Sequence, residues 1–172
     1  MHGIIYTEFN SVLDELSLVN IFCSNMRYQI DEIEESEYPE VVEVWEASVR
    51  ATHHFLREED IAYFKPLILK DYLKAVDLRC VRNDHHQIIG FLGVAEEKIE
   101  MLFLHPDVRG RGIGKMLVDY ALHTMHVTKV DVNEQNKQAV DFYEHVGFQT
   151  ISRSELDGLG MPYPILSMEI TK

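Results

Sequence analysis

The residues with the clearest chemical capacity form a short basic, glycine-rich segment, Arg109-Gly110-Arg111-Gly112-Ile113-Gly114-Lys115. The segment follows a strand-like run, Ile99–Leu104, and precedes an amphipathic helical pattern. Glycines let a backbone approach a ligand closely, and the N–H groups at a helix N-terminus carry the positive end of the helix dipole. Because three cationic side chains accompany these features in an acidic chain, the segment predicts a binding site for a pyrophosphate group.

Two common phosphate-binding loops do not fit this segment. A P-loop requires Gly-Lys followed by Ser or Thr, whereas Gly114-Lys115 is followed by Met116. A dinucleotide-binding fingerprint has the spacing G-x-G-x-x-G in a first βαβ unit, whereas the spacing here is G-x-G-x-G and lies late in the chain. The segment is therefore predicted to bind a different phosphate-bearing ligand.

A second motif follows the predicted helix and completes a resemblance. The two motifs are Arg109-x-x-Gly112-x-Gly114 and Asn136-x-x-Ala139-x-x-x-Tyr143-x-x-x-Gly147-Phe148. With both of them, the sequence resembles the GNAT superfamily of acetyl-CoA-dependent N-acyltransferases. The first motif matches the pyrophosphate loop of that superfamily, and the second matches its second cofactor motif. More narrowly, the segments Thr52-His53-His54-Phe55-Leu56, Val132-Asn133-Glu134-Gln135-Asn136 and Pro162-Tyr163-Pro164 look like the bacterial YjaB-type branch.

The resemblance implies an α/β fold of the GNAT type. In that fold a mixed, mostly antiparallel sheet of six or seven strands splays between its central parallel strands, and helices cover both faces. The pantetheine arm of acetyl-CoA, the expected co-substrate, would lie in the gap. It would pair with backbone groups of Leu102, Phe103 and Leu104, and Asn136 would offer its amide to it.

The resemblance also implies direct transfer of the acetyl group to an amine. A backbone N–H near Leu102 would stabilise the developing oxyanion. The Tyr143 hydroxyl, with a pKa of about 10, would protonate a leaving thiolate whose conjugate acid has a pKa near ~8.5. The alternative for Tyr143 is a core aromatic residue on the apolar face of its helix.

The residue that accepts the amine proton stays open at this stage. An amine with a pKa of ~10.4 is neutral in only about one molecule in 2,500 at pH 7. Glu100 is the family-typical candidate, and strand alternation places it on the face of Leu102 and Leu104 unless a bulge intervenes. His53 and His54 are the other candidates, because histidine titrates near pH 6.5, and a chain of water molecules is a third route.

Composition and charge limit the partners. The net charge is −13, and residues 1–60 hold 3 Lys and Arg against 14 Asp and Glu. This field disfavours nucleic acid and favours a cationic acceptor, either a small-molecule amine or a basic peptide, although a solvated acidic face is the alternative.

No transmembrane run or signal peptide is recognised, so no membrane partner and a cytoplasmic location are predicted. The nine histidines show no ligand spacing, so no metal site is predicted.

Periodicity predicts the elements that position these residues. The expected strands are 27–34, Leu78–Arg82, Ile88–Val94, Ile99–Leu104, Lys129–Val132, Phe148–Arg153 and Ile165–Ile170. The expected helices begin at Pro39, Glu58, Ile113 and Asn136. They form one domain over residues 26–172, with Met26 as an alternative initiator and residues 1–25 as an extension of uncertain status.

Two further alternatives remain from the sequence. The C-terminal strand or the N-terminal segment could pair with a second chain, so a homodimer is compatible with the pattern. A non-catalytic sensor or assembly module that binds acyl-CoA would also keep Arg109–Lys115, but it would not need Tyr143.

Overall fold

The computed structural model describes residues 28–170. The strands are β1 Ile30–Glu32, β2 Asp77–Arg82, β3 Ile88–Ala95, β4 Lys98–Leu104, β5 Lys129–Asn133, β6 Phe148–Ser154 and β7 Ile165–Ile170. The α-helices are α1 Tyr38–Thr52, α2 Glu58–Leu67, α3 Ile113–His123 and α4 Lys137–His145. The predicted order is confirmed, although β1 is shorter than the strand expected over 27–34. The extension predicted over residues 1–25 lies outside the described residues.

The second helical stretch, expected from about Glu58 to Ala75 with Pro66 kinking or splitting it, does change its winding near Pro66. Helix α2 ends at Leu67, and the chain continues as a π-helical turn, Ile68–Tyr72, and then a 3-10 turn. Proline has no N–H to donate to the preceding turn, and this explains why the regular α-helix does not continue. None of the helices in the described part of the chain is long and apolar enough to cross a membrane.

One seven-stranded sheet in the order β1-β2-β3-β4-β5-β7-β6 organises residues 28–170. Every neighbouring pair is antiparallel except β4 and β5, which are parallel. Helices α1 and α2 cover one face, where Trp45 and Phe91 are buried. Helices α3 and α4 cover the other, where Leu92 and Leu117 are buried. Strand β3 lies between these two cores, which is why it is almost entirely apolar.

The two parallel strands part after only two residue pairs. Lys98 pairs with Lys129 and Ile99 with Val130, but β4 continues to Leu104 without further pairing to β5. The predicted splay is therefore confirmed. Beyond Ile99, the edge of β4 that faces β5 has no strand partner within residues 28–170, so its backbone groups could pair with a ligand.

A β-bulge lies at the point where the splay begins. Between the pairs Gly93–Met101 and Val94–Ile99, β4 has one residue more than β3, and that residue is Glu100. The bulge reverses the facing of the strand, because Ile99 packs in the α3/α4 core and Met101 packs in the α1/α2 core. Simple alternation, from which the face of Glu100 was predicted, therefore fails along β4.

Candidate active site

A cavity of about 640 Å³ occupies the gap between β4 and β5. Most of the predicted site residues line it: His53, Glu100, Leu102, Phe103, Leu104, Arg109, Gly110, Gly112, Gly114, Lys115, Asn136 and Tyr143. The volume lies in the range of cavities that hold small-molecule ligands. The structure thus brings both sequence motifs to one site.

Three of the predicted residues do not line the cavity. Arg111 is exposed beside the loop, and the Ile113 side chain is only 1% exposed within the α3/α4 core. Ile113 could therefore contact a ligand only through its backbone. Of the two histidines, His53 reaches the cavity, whereas His54 is exposed and is not part of its wall.

The glycine-rich segment forms a cradle for an anion. Gly110 and Gly112 have φ angles of +74° and +82°, a conformation that side-chain-bearing residues rarely adopt. Gly112 is the N-cap of α3 and no side chain caps this helix. The first N–H groups of α3 therefore lack an intrahelical partner, and they carry the positive end of its dipole. These features fit the diphosphate of a coenzyme A.

Two cationic side chains of this cradle, Lys115 and Arg109, have protein partners. Lys115 Nζ lies 2.6 Å from Asp119 Oδ2, one turn along α3. The Arg109 guanidinium reaches α1, where it donates to Ser48 Oγ at 2.9 Å and to the Ser48 carbonyl oxygen at 3.3 Å. Burial lowers the pKa of Arg109. The anion cradle is therefore connected to the C-terminal part of α1.

On the opposite side of the gap, the side-chain oxygen and the side-chain NH₂ group of Asn136 can make different hydrogen bonds. It is the N-cap of α4, and its side-chain oxygen accepts a hydrogen bond of 3.2 Å from the Ala139 N–H. The amide NH₂ is not used for capping, so it is available to a ligand carbonyl in the cavity. The same residue can therefore stabilise α4 and bind an amide-containing ligand.

The surroundings of Tyr143 are compatible with both interpretations that the sequence left open. Its ring is only 5% exposed and packs edge-on against Phe142 and Phe148, with centroids 5.2 and 5.5 Å apart. Its hydroxyl makes no hydrogen bond within residues 28–170, and the residue lines the cavity. Burial raises the pKa of Tyr143, because the phenolate would be charged in an apolar environment. The hydroxyl therefore stays protonated and available as a donor.

His53 also lines the cavity, and it directly follows the last residue of α1. Its Nδ1 is 2.9 Å from the hydroxyl of Thr52, which also donates to the Ser48 carbonyl at 2.8 Å. Its ring contacts those of Phe55 and Phe103, with centroids 5.3 and 6.4 Å apart. Burial first, and then the nearby positive charge of the pyrophosphate loop, lower the pKa of His53 to about 4.

Glu100 is engaged in an ion pair at the floor of the gap. Lys98 Nζ lies 2.9 Å from Glu100 Oε1 and 2.9 Å from Asp131 Oδ2. Since Lys98 is on β4 and Asp131 is on β5, this cluster joins the strands where they begin to part. Glu100 thus lines the cavity, but one of its oxygens is already bound to a cation.

Some lining residues were missed by the sequence analysis, notably Ser48, Thr52, Val132 and Phe142. A signal was available for the first two. Ser48 and Thr52 are one helical turn apart, so they share one face of α1, and Thr52 is itself the first residue of the Thr-His-His segment. Within the described residues, no group of three or more His, Cys, Asp or Glu side chains is arranged to hold a metal ion.

Comparisons with known proteins agree with this geometry. The family model of the acetyltransferase (GNAT) domain matches residues 56–170. The chain is 42% identical over 132 residues to the peptidyl-lysine N-acetyltransferase YjaB of Salmonella typhimurium, covering 77% of this chain and 90% of the relative. The YjaB enzyme of Escherichia coli is 42% identical over 132 residues, which are 77% of this chain and 89% of that relative.

Solved structures show the same fold. The solution structure of apo-form YjaB from Escherichia coli matches with a TM-score of 0.75 and 38% identity, over 85% of this chain and 99% of that one. A PaiA N-acetyltransferase from Thermoplasma acidophilum, solved with coenzyme A, matches with a TM-score of 0.63 and 19% identity. That match covers 85% of this chain and 100% of the other. The chain belongs to the GNAT family of acetyltransferases, and it is an N-acetyltransferase.

Proposed function

We propose that the protein transfers the acetyl group of acetyl-CoA to the side-chain amine of lysine residues in other proteins. The observation that carries this proposal is the cavity between β4 and β5. Its lining includes the anion cradle, a tyrosine whose hydroxyl has no hydrogen-bond partner within residues 28–170, and a histidine. A donor and an acceptor could therefore meet in this one cavity.

The donor half fits a coenzyme A molecule. The N–H groups at the start of α3, together with Arg109 and Lys115, would hold the diphosphate. The open edge of β4 at Leu102–Leu104 and the amide of Asn136 would bind the pantetheine arm, which carries amide groups of its own. When bound, acetyl-CoA supplies an electrophilic thioester carbonyl and a thiolate leaving group.

Tyr143 would supply the proton that the leaving thiolate needs. Its hydroxyl would donate a hydrogen bond to the sulfur and transfer the proton as the C–S bond breaks. A buried phenol is a weak acid, but a buried thiolate also has a raised proton affinity, because burial disfavours both anions. The transfer therefore remains feasible in the same apolar environment that keeps the phenol protonated.

In the described part of the chain, the position of Cys80 favours direct transfer over an acetylated enzyme intermediate. Cys80 is fully buried in the α1/α2 core and does not line the cavity. Burial raises the pKa of Cys80 to about 11, so almost no thiolate forms near pH 7. An amine that attacks the thioester itself needs no such nucleophile.

The acceptor class rests on the relatives and on charge. The YjaB relatives are named peptidyl-lysine N-acetyltransferases, and the chain covers 89–90% of their length. The start of α2 also carries a net negative charge, since Glu58, Glu59 and Asp60 outnumber the two arginines, Arg50 and Arg57, with which they pair. Asp60 accepts a hydrogen bond from Tyr163, which joins the β6–β7 loop to α2 beside Phe55. A cationic lysine side chain suits this environment.

The test is release of coenzyme A thiol from acetyl-CoA in the presence of different amines. Lysine-containing peptides, the same peptides with the lysine already acetylated, spermidine and an aminoglycoside would be compared. We expect release with the unmodified peptides, and mass spectrometry should find one acetyl group on lysine. Release with spermidine or the aminoglycoside alone would contradict the protein acceptor. No release with any amine, while acetyl-CoA still raises Tm, would favour the acyl-CoA-binding module.

A further inference from the structure

The two ring nitrogens of His53 differ in their surroundings. Nδ1 lies 2.9 Å from the Thr52 hydroxyl oxygen, whereas Nε2 has no hydrogen-bond partner within residues 28–170. The residue lines the cavity, where its ring lies beside that of Phe103. A histidine with one nitrogen held and the other unpaired is suited to exchange protons with a ligand.

The hydrogen-bond network decides which nitrogen carries the ring proton. Thr52 Oγ1 lies 2.8 Å from the Ser48 carbonyl oxygen, which can only accept a hydrogen bond. The single hydroxyl proton of Thr52 is therefore used in that bond. Toward His53 the hydroxyl can then only accept, so Nδ1 must be the protonated nitrogen. The neutral ring consequently presents its lone pair at Nε2.

We propose that His53 Nε2 takes the proton released by the acceptor amine, and that Thr52 is the positioning residue that keeps this nitrogen unprotonated. This inference rests on the proposed function, because it requires a primary amine as acceptor. It extends that function by choosing one proton acceptor among the candidates that the sequence left open.

The protons balance in the following way. An alkylammonium group carries three protons on nitrogen, and the product amide carries one. His53 Nε2 takes the first proton, and the nitrogen forms its bond to the carbonyl carbon while the C–S bond breaks. Tyr143 gives its hydroxyl proton to the sulfur and recovers one from the nitrogen. His53 finally releases its proton to water, so the products are the amide, a free thiol and one proton.

The proton affinity of His53 should depend on whether the donor is bound, because Arg109 of the anion cradle contributes to lowering the pKa of this ring. Burial, Arg109 and His54, in that order, lower the pKa of His53 to about 4, so the ring is neutral near pH 7. A ring with this pKa is a weak base. When a diphosphate pairs with Arg109, the repulsion between Arg109 and a protonated His53 decreases. The proton affinity of His53 should therefore rise when the donor is bound.

Glu100 is the principal competitor for this role. Its Oε1 is held by Lys98, which is also paired with Asp131. A proton delivered to Glu100 would have to be accommodated within this ion-paired cluster at the floor of the gap. His53 Nε2 has no such competing partner in the described chain.

Kinetics of purified full-length variants test the role of His53. With a lysine peptide at pH 7.5, we expect His53→Ala to lower kcat about 10²-fold or more, with partial recovery when imidazole is added. Glu100→Gln should lower kcat less than His53→Ala does. The KM for acetyl-CoA should change by less than about threefold in each variant. Retention of more than a tenth of kcat in His53→Ala, or a larger loss in Glu100→Gln, would overturn the proposal.

A matched pair of substitutions tests Thr52. Thr52→Val removes the hydroxyl at nearly constant volume, and Thr52→Ser keeps it. We expect kcat to fall about tenfold in Thr52→Val and to stay within about twofold of wild type in Thr52→Ser. If thermal unfolding shows that both variants are folded and their kcat values are equal, the positioning role of Thr52 is overturned.

Nitrogen NMR of the histidine rings supplies a readout that does not depend on activity. The wild-type protein and Thr52→Ser should show the Nδ1–H form of His53, whereas Thr52→Val should show a mixture of both forms. An Nε2–H ring in the wild type would overturn the proposal even if lysine acetylation is found. If the ring is Nδ1–H but no amine is acetylated, the proposed function fails and the catalytic role of His53 fails with it.

Discussion

The guanidinium of Arg109 donates hydrogen bonds to both oxygens of Ser48, at 2.9 Å to the hydroxyl and 3.3 Å to the carbonyl. Arg109 belongs to the anion cradle, and Ser48 lies in the last turns of α1. Carbonyls at the C-terminal end of a helix carry the negative end of its dipole, so this cation is well placed there. The contact joins the anion cradle to α1, the helix that directly precedes His53.

Arg109→Gln should change both sides of the cavity. We expect the affinity for acetyl-CoA to fall at least about tenfold, because a charge-assisted contact to a phosphate is lost. The pKa of His53 should rise at the same time, since the second largest cause of its lowering is removed. Isothermal titration and histidine NMR would measure the two effects.

Arg50→Gln is the matched control for Arg109→Gln. It also removes one positive charge from the α1 region, but Arg50 pairs with Glu46 and Glu58 and does not line the cavity. Its acetyl-CoA affinity should match that of wild type. If both variants bind acetyl-CoA as wild type does, the assignment of Arg109 to the pyrophosphate site is incorrect.

Tyr143→Phe should separate chemistry from folding. The aromatic contacts with Phe142 and Phe148 are kept, and the hydroxyl that is removed has no hydrogen bond within the described chain. We therefore expect an unchanged Tm and a kcat lowered about 10²-fold or more, as for loss of a general acid. Tyr120→Phe is the control, since Tyr120 lies outside the cavity. A Tyr143→Phe enzyme with wild-type kcat would exclude a role for the hydroxyl in proton transfer.

Two glycines of the cradle should respond differently to alanine. Gly112 has a φ of +82°, so Gly112→Ala should destabilise the fold by about 1–2 kcal/mol. Gly114 has room for a Cβ, whose nearest neighbour would be Leu104 Cδ1 at 3.4 Å. Gly114→Ala should therefore keep its stability, and any loss of acetyl-CoA binding in that variant would report on close approach of the ligand. Equal denaturation midpoints for the two variants would contradict this distinction.

The lowered pKa of His53 predicts acid sensitivity. In the unfolded chain the ring takes up a proton below about pH 6.5, whereas in the folded protein it does so only near pH 4. The unfolded state binds more protons in this window, so stability falls as the pH decreases from 6.5 to 4. The full effect is of the order of 3 kcal/mol.

Urea denaturation at several pH values would check this contribution. The stability of His53→Gln should depend less steeply on pH between 6.5 and 4 than that of wild type. His85→Gln, which removes an exposed histidine outside the cavity, is the control for the loss of an imidazole. The same slope in all three proteins would show that the His53 ring is not protected from protonation in the folded state.

Much of the donor site could be predicted because it depends on local sequence. The period of apolar residues identified the strands and helices. The glycines identified the turn before α3, where Gly110 and Gly112 do adopt positive φ angles. Tyr143 and Asn136 lie on or beside one short helix, α4, so their separation in the sequence determines their positions relative to each other. The splay between β4 and β5 followed from the resemblance to the family, and the strand register confirms it.

The acceptor side depended on tertiary structure. The sequence could not choose between His53 and His54, because the choice depends on how the chain turns after α1. It could not predict that a bulge would place Glu100 in an ion pair with Lys98, since the bulge arises from register between two strands. Nor could it pair Arg109 with Ser48, which is 61 residues away. Local periodicity determines which elements form, whereas contacts between distant side chains exist only after those elements have packed.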